Sequence, residues 1–390
     1  MKKKAKSIFK KLLKRIKHLD TYQLLTIPVL LVLILCTVDF KTNSLNIGVV
    51  LPLSDNSSKR AQSHLNGIKL AINHINKQGG INSIPLKLIV KDSDKQDAAE
   101  ETRDLIYINN VKAILGGFTS KETRTIQKLS EKAQIPFLTG ICTHYEISKS
   151  APYTFRTITD DQHQFEALSL HSLTRFKSKR PAIIYDSELY GLESAQRYEE
   201  TCSKNSQSVT IKQTYPTGTI NFKTQLEEIQ RSKPDCLVIL ANAADSALIV
   251  RQAREMGFEK PILGGNQCAS NEFLQLSGLY SEGITATLPF NPISGGQRSD
   301  EFLNAYQETY EQQADADAAT GYEMTMILST ALTSSEATGN NLRESLSALH
   351  GWDNIIGSGG FDNEGNQVRP SEIAIIKDKQ TIPISMEELF

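Results

Sequence analysis

Five cysteines and seven histidines are all that this 390-residue chain offers a soft metal, and they do not group. Cys36, Cys142, Cys202, Cys236 and Cys268 contain no C-x-x-C pair, and their spacing matches no zinc pattern. His163 and His171 fall on one expected helix but too far apart for an i,i+4 metal pair. The chain also lacks a G-x-S-x-G elbow, a phosphate-cradling P-loop, an H-E-x-x-H pair and a G-x-G-x-x-G after its first strand. These absences remove the usual signatures of hydrolases, nucleotide enzymes, metallopeptidases and dinucleotide enzymes. The expectation is a protein that is not an enzyme and has no metal and no cofactor. No low-complexity tract and no repeat at a solenoid period is present, so the length implies two ordinary domains.

The formal net charge of -1 conceals an asymmetry. Residues 1–20 carry nine Lys and Arg against Asp20 alone, and residues 21–390 hold 34 basic and 43 acidic groups, a net charge of -9. An acidic body argues against nucleic acid as a partner, since phosphate binding needs a basic surface. After the basic stretch, Leu24 to Val38 contains no charged residue. It is short for a spanning helix of about 20 residues and long for the core of a cleaved leader, roughly 7–15 residues. Residues 1–40 are therefore read as a basic n-region plus a membrane anchor or signal segment, with residues 24–40 meeting the membrane. Basic residues before the apolar run place the N-terminus in the cytoplasm and the body outside. Phe9, Leu12, Leu13, Ile16 and Leu19 lie near one helical face, which suits either a surface-lying helix or a plain long n-region. Cys36 raises the question of lipid attachment, although the bulky Leu35 before it is unfavourable. The remaining cysteines read equally as disulfide partners or as small core residues.

From Leu45 onward, short apolar runs alternate with amphipathic stretches. "LNIGVVLPL", "LKLIVKD", "VKAILGG" and "IPFLTG" read as buried strands, separated by helices near 61–77, 98–109 and 120–133. A second series follows: helix 160–176, "PAIIYD", helix 190–203, "VTIKQTYP", helix 222–230, "DCLVILAN", helix 244–256 and "PILGGN". Two such series imply an α/β fold of two doubly wound parallel-sheet lobes. After "GITATLPF" come helical stretches near 300–310, 321–335 and 342–349, a turn-rich "GSGGFDNEGNQ" and a last strand "EIAIIKD". This tail is too short for its own core and must complete the lobes already begun.

In open parallel sheets, ligands sit outside the carboxyl ends of the strands. That rule selects Thr119, Ser120 and Thr123 after the third strand, where a helix N-terminus offers free N–H groups to a carboxylate. Ordinary capping explains the same residues. It also selects Gly140, Ile141, Cys142 and Thr143 after the fourth strand, where glycine admits close approach and threonine supplies a hydroxyl. From the second series come Tyr190, Asn242 and Asn266, the first suited to stacking or simply to packing.

Taken in order, "IGVVLPLS", "NGIKLAINHINKQGGI", "GGFTS", "IPFLTG", "YTFRT", "LYG", "IVRQAREMGF" and "GGFDNEGNQ" resemble type I periplasmic binding proteins. The resemblance covers roughly residues 45–380 and is nearest to the leucine/isoleucine/valine-binding branch of ABC-transporter receptors. It implies a three-crossover hinge near Arg156, Leu288 and Phe361, with lobe I over 45–157 and 285–362 and lobe II over 158–284 and 363–384. It further implies that Ser120 holds a ligand carboxylate, that Gly140 to Thr143 meets the ligand's polar head, that Tyr190 covers it, and that Asn242 lies near it. One position departs from the pattern. Amino-acid binders of this branch place an acidic residue where this chain has Asn266, and a neutral amide cannot balance a buried ammonium. Asp186, Glu188 or Glu323 are the substitutes that the resemblance leaves open.

The implied function is capture of a small polar, carboxylate-bearing solute, an amino acid or related compound, for ABC permease subunits at the cell envelope. The alternative is a membrane-anchored sensor signalling to a separate subunit, since one fold serves both uses.

Overall fold

The computed structural model describes residues 44–54, 58–335 and 339–384. Its first sheet is wholly parallel. Strands β1 (Leu45–Leu51), β2 (Leu86–Asp92), β3 (Ala113–Gly116), β4 (Phe137–Thr139) and β5 (Thr154–Arg156) lie in the order β2-β1-β3-β4-β5. The last five residues of β1 are all buried, as a strand covered on both faces requires. Helix α1 (Ser58–Lys77) presents Leu65, Ile68, Ile72 and Ile75 to this core. Helix α2 (Ala98–Arg103) does not run on to 109 as an α-helix. It opens into a π-turn over Asp104–Ile108, and the wider turn accompanies burial of the consecutive Leu105 and Ile106. Helix α3 (Ser120–Ala133) has the limits the sequence pattern predicts.

The second sheet begins after a short connection from β5. Helix α4 (Asp161–Arg175), β6 (Pro181–Asp186), α5 (Leu189–Lys204), β7 (Ile211–Tyr215), α6 (Lys223–Arg231), β8 (Cys236–Leu240), α7 (Ala243–Glu255), β9 (Ile262–Gly264), α8 (Asn271–Ser277) and β10 (Thr285–Leu288) follow. Strand β10 pairs with β9 in parallel. The boundary expected at residue 285 therefore moves to after Leu288, because β10 belongs to the second sheet.

The chain then returns to the first lobe with α9 (Gln297–Tyr310), α10 (Ala316–Ser334) and α11 (Gly339–Ser347). Helix α10 starts at Ala316 rather than 321, because the Asp315 carboxylate accepts the N–H of Ala318 and caps it. Helices α1 and α10 approach through glycine: a Cβ on Gly67 would sit 1.9 Å from the Ala318 carbonyl oxygen. Strands β11 (His350–Asn354) and β12 (Gly357–Gly360) form a hairpin, and β12 lies in the region expected to be only turn. Residues beyond it still bond to the first lobe, with Gly365 O accepting from Arg156 N at 2.8 Å and Gly360 O from Val368 N at 2.8 Å. The third crossing thus lies after Arg369, later than the expected 363.

Strands β13 (Glu372–Lys377) and β14 (Gln380–Pro383) complete the second sheet in the order β14-β13-β10-β9-β8-β6-β7. Strand β13 is antiparallel to both neighbours, so this sheet is mixed rather than parallel throughout. The N-terminal basic and apolar segment, residues 1–40, lies outside the described residues, as does Cys36. Among the described residues no helix is long and apolar enough to cross a membrane. The four described cysteines are buried and unpaired.

Candidate functional site

The strand ends of both lobes meet at one cleft. On the first-lobe side, Gly116 and Gly117 carry the chain through positive φ (127° and 77°) into α3, and a Cβ on Gly117 would meet Thr123 Oγ1 at 2.6 Å. Thr119 caps α3 by accepting the Glu122 N–H at 3.2 Å, while the Glu122 carboxylate accepts from Phe118 N at 2.9 Å and Ser93 Oγ at 2.7 Å. Thr123 donates its hydroxyl back to the Thr119 carbonyl and is wholly buried. Helix geometry leaves the N–H groups of Ser120 and Lys121 without intrahelical partners. Thr119 and Thr123 therefore build the helix start, and Ser120, buried at its first position, is the residue it presents.

Beside α3 runs the loop after β4. Ile141, Cys142 and Thr143 are buried, and Thr143 bonds Asp161 twice: its carbonyl accepts the Asp161 N–H at 2.8 Å and its hydroxyl bonds the carboxyl. Burial pushes the Asp161 carboxyl up to about 7; the Thr143 hydroxyl and Arg156 oppose the rise, and Asp160 and Glu193 add to it. Arg156 is completely buried and ties three segments together. It donates to the carbonyls of His144 and Tyr145, to Asp160 at 3.4 Å and to Asn366. Loop 143–145, the first crossing and the first-lobe turn at Asn366 thus share one guanidinium.

The second lobe closes over this side through α5, which touches α3. Arg124 lies 3.9 Å from Glu193, and Arg197 stacks over the Tyr145 ring at 4.3 Å. His144 Nδ1 accepts the Glu146 N–H at 3.1 Å, so its Nε2 carries the proton and donates to Glu193. Burial, then Arg124 and Arg156, lower His144 to about 4. At neutral pH the His144–Glu193 contact is therefore a hydrogen bond from a neutral ring, not an ion pair. Tyr190 extends toward Gly265, where an added Cβ would lie 2.8 Å from its hydroxyl. Burial raises its phenol, and Asp161, Cys268 and Asp186 are the neighbouring charges that raise it further.

Between the lobes remains a cavity with an open volume of about 40 Å³. Gly140 and Ile141 line it from the first lobe, Asn266, Ser270 and Asn271 from the second, and Ile158 and Pro289 from two crossings. Its far wall is Arg60, with Asp315 and Asp317 at the start of α10.

The sequence candidates separate on this geometry. Gly140, Ile141 and Asn266 line the cavity, whereas Ser120, Thr143 and Tyr190 are not among its lining residues; Ser120 and Thr143 are buried and Tyr190 is half-buried. Asn242 is exposed; its Oδ1 accepts the Asp245 N–H at 2.9 Å and its amide donates to the same side chain, so its visible role is to cap α7. The proposed substitutes for a missing acid are committed elsewhere. Asp186 accepts from Glu188 N at 3.0 Å, Glu188 is exposed and bonds Thr217, and Glu323 lies under the β11–β12 hairpin, 3.7 Å from Arg369. Sequence reasoning passed over Asp161 and Arg60. For Asp161 the signal was its redundancy: Asp160 already caps α4 by accepting the His163 N–H, so a second acid has no capping task. Among the described residues no group of three His, Cys, Asp or Glu could hold a metal ion.

One parallel and one mixed sheet, joined by three crossings with facing strand ends and a gap between them, form the architecture of two-lobed solute-binding proteins. The Periplasmic binding protein family profile matches residues 44–380, and the chain belongs to that family. Its relatives are solute-binding proteins, not enzymes. A leucine-, isoleucine-, valine-, threonine- and alanine-binding protein of Pseudomonas aeruginosa is 22% identical over 328 residues, covering 83% of this chain and 87% of that one. A Leu/Ile/Val-binding protein homologue of Brucella abortus is 27% identical over 230 residues, just over half of each chain, 56% and 57%. Among solved structures, a leucine-binding protein from Thermotoga maritima superposes with a TM-score of 0.82 at 22% identity, covering 87% of this chain and 98% of that one. A solute-binding protein from R. palustris in complex with benzoate superposes at 0.78 with 16% identity, covering 87% and 95%. The resemblance to the leucine/isoleucine/valine-binding branch therefore extends over the whole two-lobed body.

Proposed function

We propose that this chain is the capture receptor of an ABC uptake system and closes by hinge motion on a small solute with an α-amino-acid head. The observation that carries this reading is the set of opposed charges at the closed cleft: the open N-terminus of α3 at Ser120, and the buried Asp161 beside Thr143 under Tyr190. The first suits a carboxylate and the second an ammonium group. Asp161 then supplies the charge that Asn266 lacks. The body works outside the cytoplasmic membrane, as its family's members do. The apolar run Leu24 to Val38 with its basic flank supports a tether to that membrane.

A thermal-shift screen of the full chain against the twenty amino acids and their amide and decarboxylated analogues tests the proposal, because a ligand that binds only the folded state raises the midpoint with concentration. The expected result is a shift by at least one amino acid, lost with its decarboxylated amine and reduced in Ser120→Ala. Equal shifts by an amino acid and its decarboxylated amine would refute a carboxylate role for the α3 terminus.

A further inference from the structure

The head-group reading leaves the rest of the ligand undefined, and the far wall of the cavity is built for it. Arg60 Nε donates to Asp317 Oδ2 at 2.8 Å, its Nη2 to Asp317 Oδ1 at 2.8 Å, and its Nη1 to Gln267 Oε1 of the second lobe at 2.5 Å. The guanidinium stacks 5.3 Å above the Phe118 ring. Asp317 is itself pinned, since its carbonyl accepts from His64 Nδ1 at 2.9 Å and from the Thr320 hydroxyl at 3.1 Å. Asp315 uses one carboxylate oxygen for Ser63 and the Ala318 N–H. The wall is therefore a fixed guanidinium–carboxylate pair with a second carboxylate beside it. Three of the five guanidinium N–H groups are used by these bonds, which leaves two to donate, while carboxylate lone pairs remain to accept.

Resting on the amino-acid reading above, we infer that Arg60, held by Asp317, selects a ligand whose side chain ends in a neutral group that both accepts and donates hydrogen bonds, of the carboxamide or ureido class. Each simpler tail fails on the same wall. An aliphatic tail fills the cavity without bonding it and strips water from a charged pair. A carboxylate tail finds Arg60 already neutralised and meets Asp315 and Asp317, with Glu272 also close enough to act on Arg60. An ammonium tail meets the guanidinium. A carboxamide gives its oxygen to Arg60 and its N–H groups to the carboxylates, and Asn266, Ser270 and Asn271 on the second lobe add polar partners. The opening of about 40 Å³ holds only a few waters, at roughly 10–15 Å³ each, so the tail is short. A site that hydrogen-bonds its ligand rejects near-isosteres lacking those groups far more strongly than an apolar pocket does.

The test is calorimetry on the full chain with three near-isosteres that share one head: glutamine, glutamate and norleucine. Glutamine is expected to bind at least tenfold more tightly than either. Arg60→Met is expected to bring glutamine and norleucine within about twofold of each other, whereas Ser120→Ala weakens all three and keeps their order. Binding of norleucine or glutamate as tight as that of glutamine to the unsubstituted chain overturns the inference, and this outcome needs no variant to fold. If no α-amino acid binds, the head-group reading fails on its own. The tail is then judged with propionamide, propionate and 1-propanol by ligand-observed NMR. Preference for propionamide upholds the inference; equal binding of the three, or none, overturns it.

Discussion

Replacing Asp161 by asparagine should make the protein more stable and a worse receptor. Asp161 is 6% exposed, and burial raises its carboxyl from 3.8 to about 7. Below pH 4 the carboxyl is protonated in both folded and unfolded chains and contributes nothing. Between pH 4 and 7 the folded chain holds a proton that the unfolded chain has released, so stability falls as pH rises. Above pH 7 the penalty is complete, on the order of 4 kcal/mol at 1.36 kcal/mol per pKa unit. Asparagine keeps the shape and a partner for the Thr143 hydroxyl but never ionises. Urea denaturation of Asp161→Asn against the parent should therefore show little difference near pH 4 and a gain of roughly 2–4 kcal/mol at pH 8. At pH 8 the variant should also lose amino-acid affinity by tenfold or more, because the ammonium partner is gone. A variant less stable than the parent at pH 8, or a stability difference independent of pH, would refute the electrostatic argument. Unchanged affinity would remove Asp161 from the site.

Other outcomes follow from the same structure. Gly67→Ala should destabilise the first lobe by roughly 3 kcal/mol in urea denaturation, since its Cβ would lie 1.9 Å from the Ala318 carbonyl oxygen, a backbone atom that can move only with its helix. Glu193→Ala removes the partner of His144 and Arg124 across the cleft; the open form should gain population, raising the radius of gyration in solution scattering and weakening ligand binding about fivefold, as for a loss of about 1 kcal/mol. Thr119→Ala removes the α3 cap and should cost about 1 kcal/mol in the same denaturation assay, with the free ligand-facing N–H groups retained.

Much of the fold was legible before any coordinates. Strand β2 and helix α3 have the limits that their apolar patterns predict, because a short apolar run bounded by polar residues and an amphipathic helix write their period directly into the chain. The helix-start candidates were legible for the same reason: a threonine three residues before a glutamate is a local signal, and Thr119 and Glu122 use it locally. Strand β10 was harder. Its sheet is set by pairing with β9 on one side and, on the other, with β13, which arrives almost ninety residues later and in the antiparallel sense. The hairpin at Gly357–Gly360 was missed because glycines carry no alternation to read.

The sequence by itself determined the alternation of strands and helices, the two series that make two lobes, and the glycine and threonine turns that open α3 toward the cleft. Each depends on residues within a few positions of one another, where backbone sterics and hydrophobic period decide the outcome. Tertiary structure alone decided which charges face the cleft. Arg60 meets Asp317 across 257 positions and Gln267 across 207, and Asp161 becomes a buried acid only when Thr143, Tyr190 and Arg156 surround it. Desolvation and ion pairing belong to the assembled surroundings of a group, so the chemistry of this site came into being with the packing of the two lobes.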